Sequence, residues 1–243
     1  MDGTKPITDT RRMAAVLQLC AAVFFAASPL VVGGFSGFAP DQFPIPQVDV
    51  PVQPAGYAFS IWGLIYLWLV AGAAFGLVRR SDSGGWARMR WPLTGSLVIG
   101  AAWIPAAQAS VPVATVMIWA MWVLAVWALI VAGREDRWWQ RAPVALYAGW
   151  LTAASCVALG LVLGGYGWMG EQAAAALMIA LALILALAVQ WLRRDEPLYA
   201  VAVIWALVGV MVANLDPLNA PILTIAGPGA AVLAWVAARG LRA

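Results

Sequence analysis

The sequence has no histidine, few charges and only two cysteines, and each shortage removes a class of function. Without imidazole, no residue of this chain can ligate haem, zinc or non-haem iron through a ring nitrogen, or act as a histidine general base. Charged residues make up 10% of the 243 positions and hydrophobic ones 64%, whereas a globular domain carries roughly a quarter charged residues. Such a chain cannot cover itself with a soluble surface and needs lipid around it. Cys20 and Cys156 both fall inside apolar segments, where they behave as small packing residues and not as a disulfide or redox pair. Acids outside the apolar segments, such as Glu171 and Asp216, are the only candidates for hydrolytic chemistry, and none sits in a cluster with a base.

What the chain has instead is long apolar runs. Cutting at charged, Pro and Gly clusters gives eight segments: 13–35, 57–78, 92–109, 112–132, 142–164, 172–192, 198–213 and 221–238. Segments such as 172–191 are apolar all round and rich in Ala and Leu, which is a helical pattern and not the alternation of a barrel strand. Most approach the roughly 20 residues that cross a bilayer core. The expected fold is an all-α polytopic transmembrane bundle of about eight helices, none with an ionisable residue clearly inside it. The stretch from Met13 to Phe35 is read as a retained first helix. It exceeds the about 7–15 apolar residues of a signal peptide, and Pro29 follows its small-residue site.

Charge supplies an independent test of the helix count. Lys5, Arg11 and Arg12 precede the first segment; Arg79, Arg80, Arg88 and Arg90 lie after the second; Arg134, Arg137 and Arg141 after the fourth; Arg193 and Arg194 after the sixth; Arg239 and Arg242 at the end. The remaining connections hold Asp41, Asp49, Glu171 and Asp216 and no base. Basic residues in short loops stay on the cytoplasmic side, so this partition predicts eight passes through an inner (cytoplasmic) membrane with both termini cytoplasmic. The net charge of +3 is thereby topogenic. Lipid headgroups, not nucleic acid, are the partners of these arginines.

The most informative stretch runs from Pro51 through Pro54, Tyr57, Phe59 and Trp62 to Tyr66, a loop leading into the second segment. Pro54 restrains the chain before the helix, and Phe59, Trp62 and Tyr66 follow at spacings of three and four, which puts them on one side. Tyr57 reads as an interfacial aromatic. Trp62 and Tyr66, a turn or two inside, serve packing or a ligand wall equally well. Trp86, Trp91, Trp138, Trp139, Trp168 and Trp235 lie near segment ends, where interface anchoring accounts for them. Gly33-x-x-x-Gly37 and Gly160-x-x-x-Gly164 suggest close helix contact, within the chain or in a homodimer. The Asn214 to Pro217 turn joins the last two segments, with capping as its simple role.

The segment Pro54-Ala-Gly-Tyr57-Ala-Phe59-Ser-Ile-Trp62-Gly-Leu-Ile-Tyr66 resembles the tryptophan-rich sensory protein / translocator protein (TspO/MBR) family, in particular its longer bacterial members. Trp103-Ile-Pro105 resembles the family's Trp-x-Pro, and Tyr147-x-x-Trp150 its fifth-helix motif; Trp119, Trp122 and Trp127 lie between. The resemblance covers roughly residues 13–164. It implies a five-helix core over 1–164 with an extracytoplasmic loop at 36–56, and a three-helix extension over 165–243. It also implies a bacterial inner-membrane protein binding lipophilic molecules (tetrapyrroles, sterol-like or carotenoid-like compounds) for sensing, transport or sequestration. Its site would be Pro54, Tyr57, Phe59, Trp62, Tyr66, Trp103, Pro105, Tyr147 and Trp150. No catalytic residue or resident cofactor is implied beyond a bound porphyrin or lipid. Two departures touch that site: the family's Trp-x-Pro-Pro loop appears as Pro51-x-x-Pro54 without the Trp, and its Asn eight residues after the fifth-helix Trp is Ala158. The amide that would hydrogen-bond a ligand is thus missing.

Two other functions find less support in the sequence. A membrane enzyme acting on a pigment or lipid, including light-dependent porphyrin breakdown, lacks a nucleophile paired with a base. An ion-coupled secondary transporter calls for polar residues near the midplane and two similar halves, and the chain displays neither.

Overall fold

Helices form wherever the apolar runs permit them. The computed structural model describes residues 5–240; the side chain of Lys5 and all of Arg242 lie outside what is described. Among the described residues there are nine α-helices and no strand: α1 Lys5–Val32, α2 Ile61–Arg80, α3 Gly84–Ala101, α4 Trp103–Ala109, α5 Val111–Val131, α6 Arg141–Gly165, α7 Glu171–Leu192, α8 Leu198–Ala213 and α9 Ala220–Gly240. Eight apolar segments become nine helices because the third is two. Pro105 has no N–H to give the carbonyl four residues back, so α3 ends at Ala101 and a short α4 starts again beyond Ala102. Trp103 pins this break by donating its indole N–H to the Ala114 carbonyl of α5 at 2.8 Å.

Among the described residues six helices are long and apolar enough to cross a membrane, and α8 is a shorter apolar helix of 16 residues. The protein is a multi-pass helical membrane protein. At its centre is α6, buried almost all round and packed against α2, α5, α7 and α8. α3 lies between α1 and α5, while α9 covers α7 and α8. Close approach at the centre depends on Gly149, whose missing side chain faces the backbone carbonyl of Tyr199 in α8.

Two networks fix the ends of the bundle. At one end the connections rich in arginine meet. Arg90 donates through Nη1 to the carbonyls of Arg11 (3.2 Å) and Ser81 (2.7 Å), and through Nη2 to those of Gly76 (3.1 Å) and Arg80 (2.8 Å). Arg193 donates to Leu129, Ile130 and Ala132 at 2.6–3.2 Å. Arg80 and Ser81 lie at the end of α2, and Leu129, Ile130 and Ala132 at the end of α5, where helix carbonyls run out of partners within their own helix; the bonds to Gly76 and Arg11 add to these and tie α3 to α2 and α1. A cation at the negative end of a helix dipole also gains electrostatically. Arg80–Asp136, Arg137–Glu196, Arg193–Asp195 and Arg141–Asp195 ion pairs complete this end. The opposite, acidic end is tied by neutral hydrogen bonds: Gln42 to Ala107, Gln108 to Val32, and the reciprocal amides of Gln172 and Asn219.

Four expectations need correction. α3 begins eight residues before the predicted start because Ser83 accepts a hydrogen bond from Trp86 N and caps it. Arg88 and Arg90 therefore lie inside a helix, and Arg90 is fully buried, against the expectation that no helix would hold an ionisable group. Trp86 is no interface anchor: it is buried against Gly76 and donates to Asp136 at 3.1 Å, whereas Trp91, Trp138, Trp139, Trp168 and Trp235 are exposed. Gly33 and Gly37 lie beyond the end of α1 at φ of +85° and +124°, so they form no helix face.

The acids at the basic end set a pH limit. Hydrogen bonds from Arg80 hold Asp136 below the ordinary 3.8. Burial raises Asp195, but Arg193 and Arg141 together outweigh it and the net shift is downward. Groups with depressed folded values stabilise the fold above their unfolded value and lose that contribution as pH falls through the folded one. The melting temperature of purified protein should therefore hold near neutrality and drop below about pH 4. Asp136→Asn should start lower at pH 7 and lose less on acidification; an unaltered acid profile would rule this pair out.

Candidate functional site

The loop from 33 to 60 does not stand away from the bundle; it folds onto it. Val52 packs at Gly160, Gln47 at Gly164 and the Phe43 ring at Gly165, so the glycines of α6 form a groove filled by the loop and by Met178 and Glu171 of α7. The small-residue motif on α6 is thereby used inside the chain. On the far side the loop is bound to α8: Ala55 N donates to the Gly209 carbonyl (3.0 Å), Trp205 Nε1 to Ala58 (2.9 Å), and Asn214 Nδ2 to Pro51 (2.9 Å). The turn around Asn214 is thus a loop anchor as well as a cap. Gly209 makes room for this contact, lying against Ala58 and Pro54.

Beneath the loop, aromatic rings converge. Trp62 and Tyr66 stack at 5.3 Å, as their spacing predicts, with Phe25 of α1 edge-on to both. Trp150 meets Phe59 and Trp62 edge-on, each at 6.0 Å, and Phe35 meets Trp103 at 4.7 Å. Edge-to-face contact sets the positive rim of one ring on the negative face of the next, which fixes their mutual angles. Two adjoining cavities lie among these rings, sharing Phe35, Phe59, Trp103 and Ile118. One, of about 40 Å³, lies under the loop and reaches Pro54, Trp150, Ala158 and Ala206; the other, of about 150 Å³, lies between α1, α2 and α3 and reaches Phe25, Trp62 and Tyr66. The lining of the first is almost wholly apolar, and the indole N–H of Trp150 on its wall is buried without a partner among the described residues.

Of the nine residues expected at the site, Pro54, Phe59, Trp62, Tyr66, Trp103 and Trp150 line these cavities. Tyr147 stands just behind, fully buried, its hydroxyl 2.8 Å from Ser96 Oγ and its ring against Phe25 and Trp62. Tyr57 is half-exposed and packs edge-on to Trp205, and Pro105 is exposed in a separate groove between α1 and α3. Neither lines the cavities.

With this geometry in place, the family model described as TSPO-like protein matches residues 42–239. The chain belongs to the TSPO-like protein family. Comparison with curated proteins and with solved structures gives no match. The family match starts in the first loop and runs through α9, so it takes in the helices that supply Gly209, Trp205 and Asn214. Ala158, which stands where the resemblance implies an asparagine, lies on the cavity wall. The polar recognition available here is consequently the Trp150 N–H and the Gln53 amide.

Sequence reasoning missed Phe25, Phe35, Gln53, Ile118 and Ala206. One signal was available: Trp150, Ala154, Val157 and Leu161 recur at helical spacing on α6 and all line the first cavity. No such signal marks Ala206, brought in by α8 from 56 positions beyond Trp150.

Proposed function

We propose that this TSPO-like protein binds a flat lipophilic molecule, tetrapyrrole, sterol-like or carotenoid-like, among the rings beneath its first loop, and serves in sensing, transport or sequestration. The carrying observation is the convergence of Phe35, Phe59, Trp62, Tyr66, Trp103 and Trp150 on two joined cavities with one buried, unpaired donor at Trp150. Stacking surfaces with few polar groups, the Trp150 N–H and the Gln53 amide, suit a planar ligand with an acceptor at its edge. They offer no nucleophile with a base, which favours a binder over an enzyme. At about 40 and 150 Å³ the cavities are small, below the roughly 300–1,000 Å³ of a drug-sized site. Binding on this reading moves the loop off its seat on α8.

The one-sided arginines favour a bacterial inner membrane with the basic end and both termini cytoplasmic. The loop then faces outward, and the ligand arrives from that side or from lipid. Titration with protoporphyrin dimethyl ester, a flat lipophile without free carboxylates, should quench tryptophan fluorescence in the wild type. Trp62→Ala and Trp150→Ala should each weaken binding about tenfold, the loss of one stacking partner. Identical titrations for both variants and the wild type would sink the site assignment.

A further inference from the structure

A space larger than either ring-lined cavity lies above the rings. A cleft of about 870 Å³ lies at the acidic end, between loop residues 47–56 and the α8–α9 turn. Its lining is half polar, in contrast to the cavity below. Phe38, Gln53 and Pro54 line both spaces, so three side chains separate the cleft from the aromatic cavity. The partition is held from both sides: Asn214 fixes Pro51, Gly209 fixes Ala55, and the Gln53 side chain rests against Gly37.

Charge in the cleft has one sign. Asp49 and Asp216 line it, both exposed, and neither takes part in an ion pair among the described residues. The connections at this end, 33–60, 110, 166–170 and 214–219, contain no Lys or Arg. A carboxylate brought here meets two negative charges and no counter-charge, while an ammonium meets two attractive ones.

We propose that this cleft is a second compartment of the ligand site, which holds the neutral or cationic end of an amphiphile whose flat apolar body lies among the rings. Phe38, Gln53 and Pro54 form the gate that the body passes. The inference rests on the function proposed above and narrows its ligand class: planar lipophiles ending in an amine or hydroxyl are favoured over those ending in carboxylates.

Three probes with one apolar body separate these claims: pyrenebutyl-trimethylammonium, pyrenebutanol and pyrenebutyrate, titrated into protein in non-ionic detergent and read by energy transfer from tryptophan. The ammonium should bind about tenfold more tightly than the carboxylate, with the gap shrinking in high salt. Asp49→Asn/Asp216→Asn should bring the ratio near one and leave pyrenebutanol unchanged. Trp150→Ala should weaken all three. If the alcohol responds to Trp150→Ala but the charge ratio ignores the two Asn substitutions, or is near one in the wild type, the compartment is overturned and the aromatic site stands. If the alcohol ignores Trp150→Ala, the aromatic site fails; if no probe binds, both fall.

Discussion

Gly149→Leu should leave little or no folded protein in detergent, seen as loss of the monodisperse peak in size-exclusion chromatography. Even Gly149→Ala should lower the melting temperature clearly. A Cβ at this position runs into the Tyr199 carbonyl and meets the Ala202 Cβ at 3.0 Å, and a backbone atom on a packed helix cannot swing aside as a side chain does. Overpacking of this kind costs about 1–3 kcal/mol for a methyl and more for a larger group. It acts where α6 and α8 touch, and α8 carries the loop over the aromatic cavities. Gly63→Ala is the control. Gly63 lies in α2 with nothing near its Cβ position, so alanine there should be neutral or should stabilise by up to about 1 kcal/mol through helix propensity. Equal effects at the two glycines would refute the close-contact explanation.

Arg90→Met should be the second most damaging substitution. The methionine keeps most of the buried volume but removes the donors that serve Arg11, Gly76, Arg80 and Ser81. The Ser81 carbonyl loses its one donor among the described residues, at a cost of about 1–3 kcal/mol for a buried unpaired group, and with the further bonds to Arg11, Gly76 and Arg80 also lost a total of about 3 kcal/mol is expected. Arg90→Lys should fall between, because one ammonium cannot reach four carbonyls in the planar fork of a guanidinium. If the role of Arg90 were topogenic alone, Lys would behave as wild type and Met would disturb orientation without lowering the melting temperature. Thermal unfolding of the three proteins, with a tag-accessibility assay in vesicles, separates these outcomes.

Arg90 also shows why a correct sequence rule can stop short. A run holding Arg79, Arg80, Arg88 and Arg90 reads as a polar connection, and by charge it sits at the end where the positive-inside pattern puts it. The cap at Ser83 that starts α3 eight residues early is legible only when set against the Gly-Gly that follows it. Trp86 was misplaced for the same reason: proximity to a helix end suggested an interface, and the hydrogen bond to Asp136 that permits burial comes from 50 positions away.

The aromatic site was partly legible. Phe59, Trp62 and Tyr66 could be put on one side because their spacing follows the helical period, and that side does face the cavities. Phe25, Ile118 and Ala206 could not be found in this way. They come from helices that are apolar all round, where no stripe distinguishes a residue facing lipid from one facing a cavity.

By itself the sequence determined the class of the protein, a polytopic helical membrane bundle, the order of its segments and the partition of its charges, because length, hydropathy and loop charge act locally along the chain. Tertiary structure alone decided which rings meet, that the first loop is seated on α8, that arginines close helix ends, and that the cavities are small while the cleft above them is large. In water, burial separates apolar from polar faces and leaves a pattern to read. In lipid both the core and the surroundings are apolar, so the inward face is chosen by shape and by a few hydrogen bonds between distant segments, which no local period records.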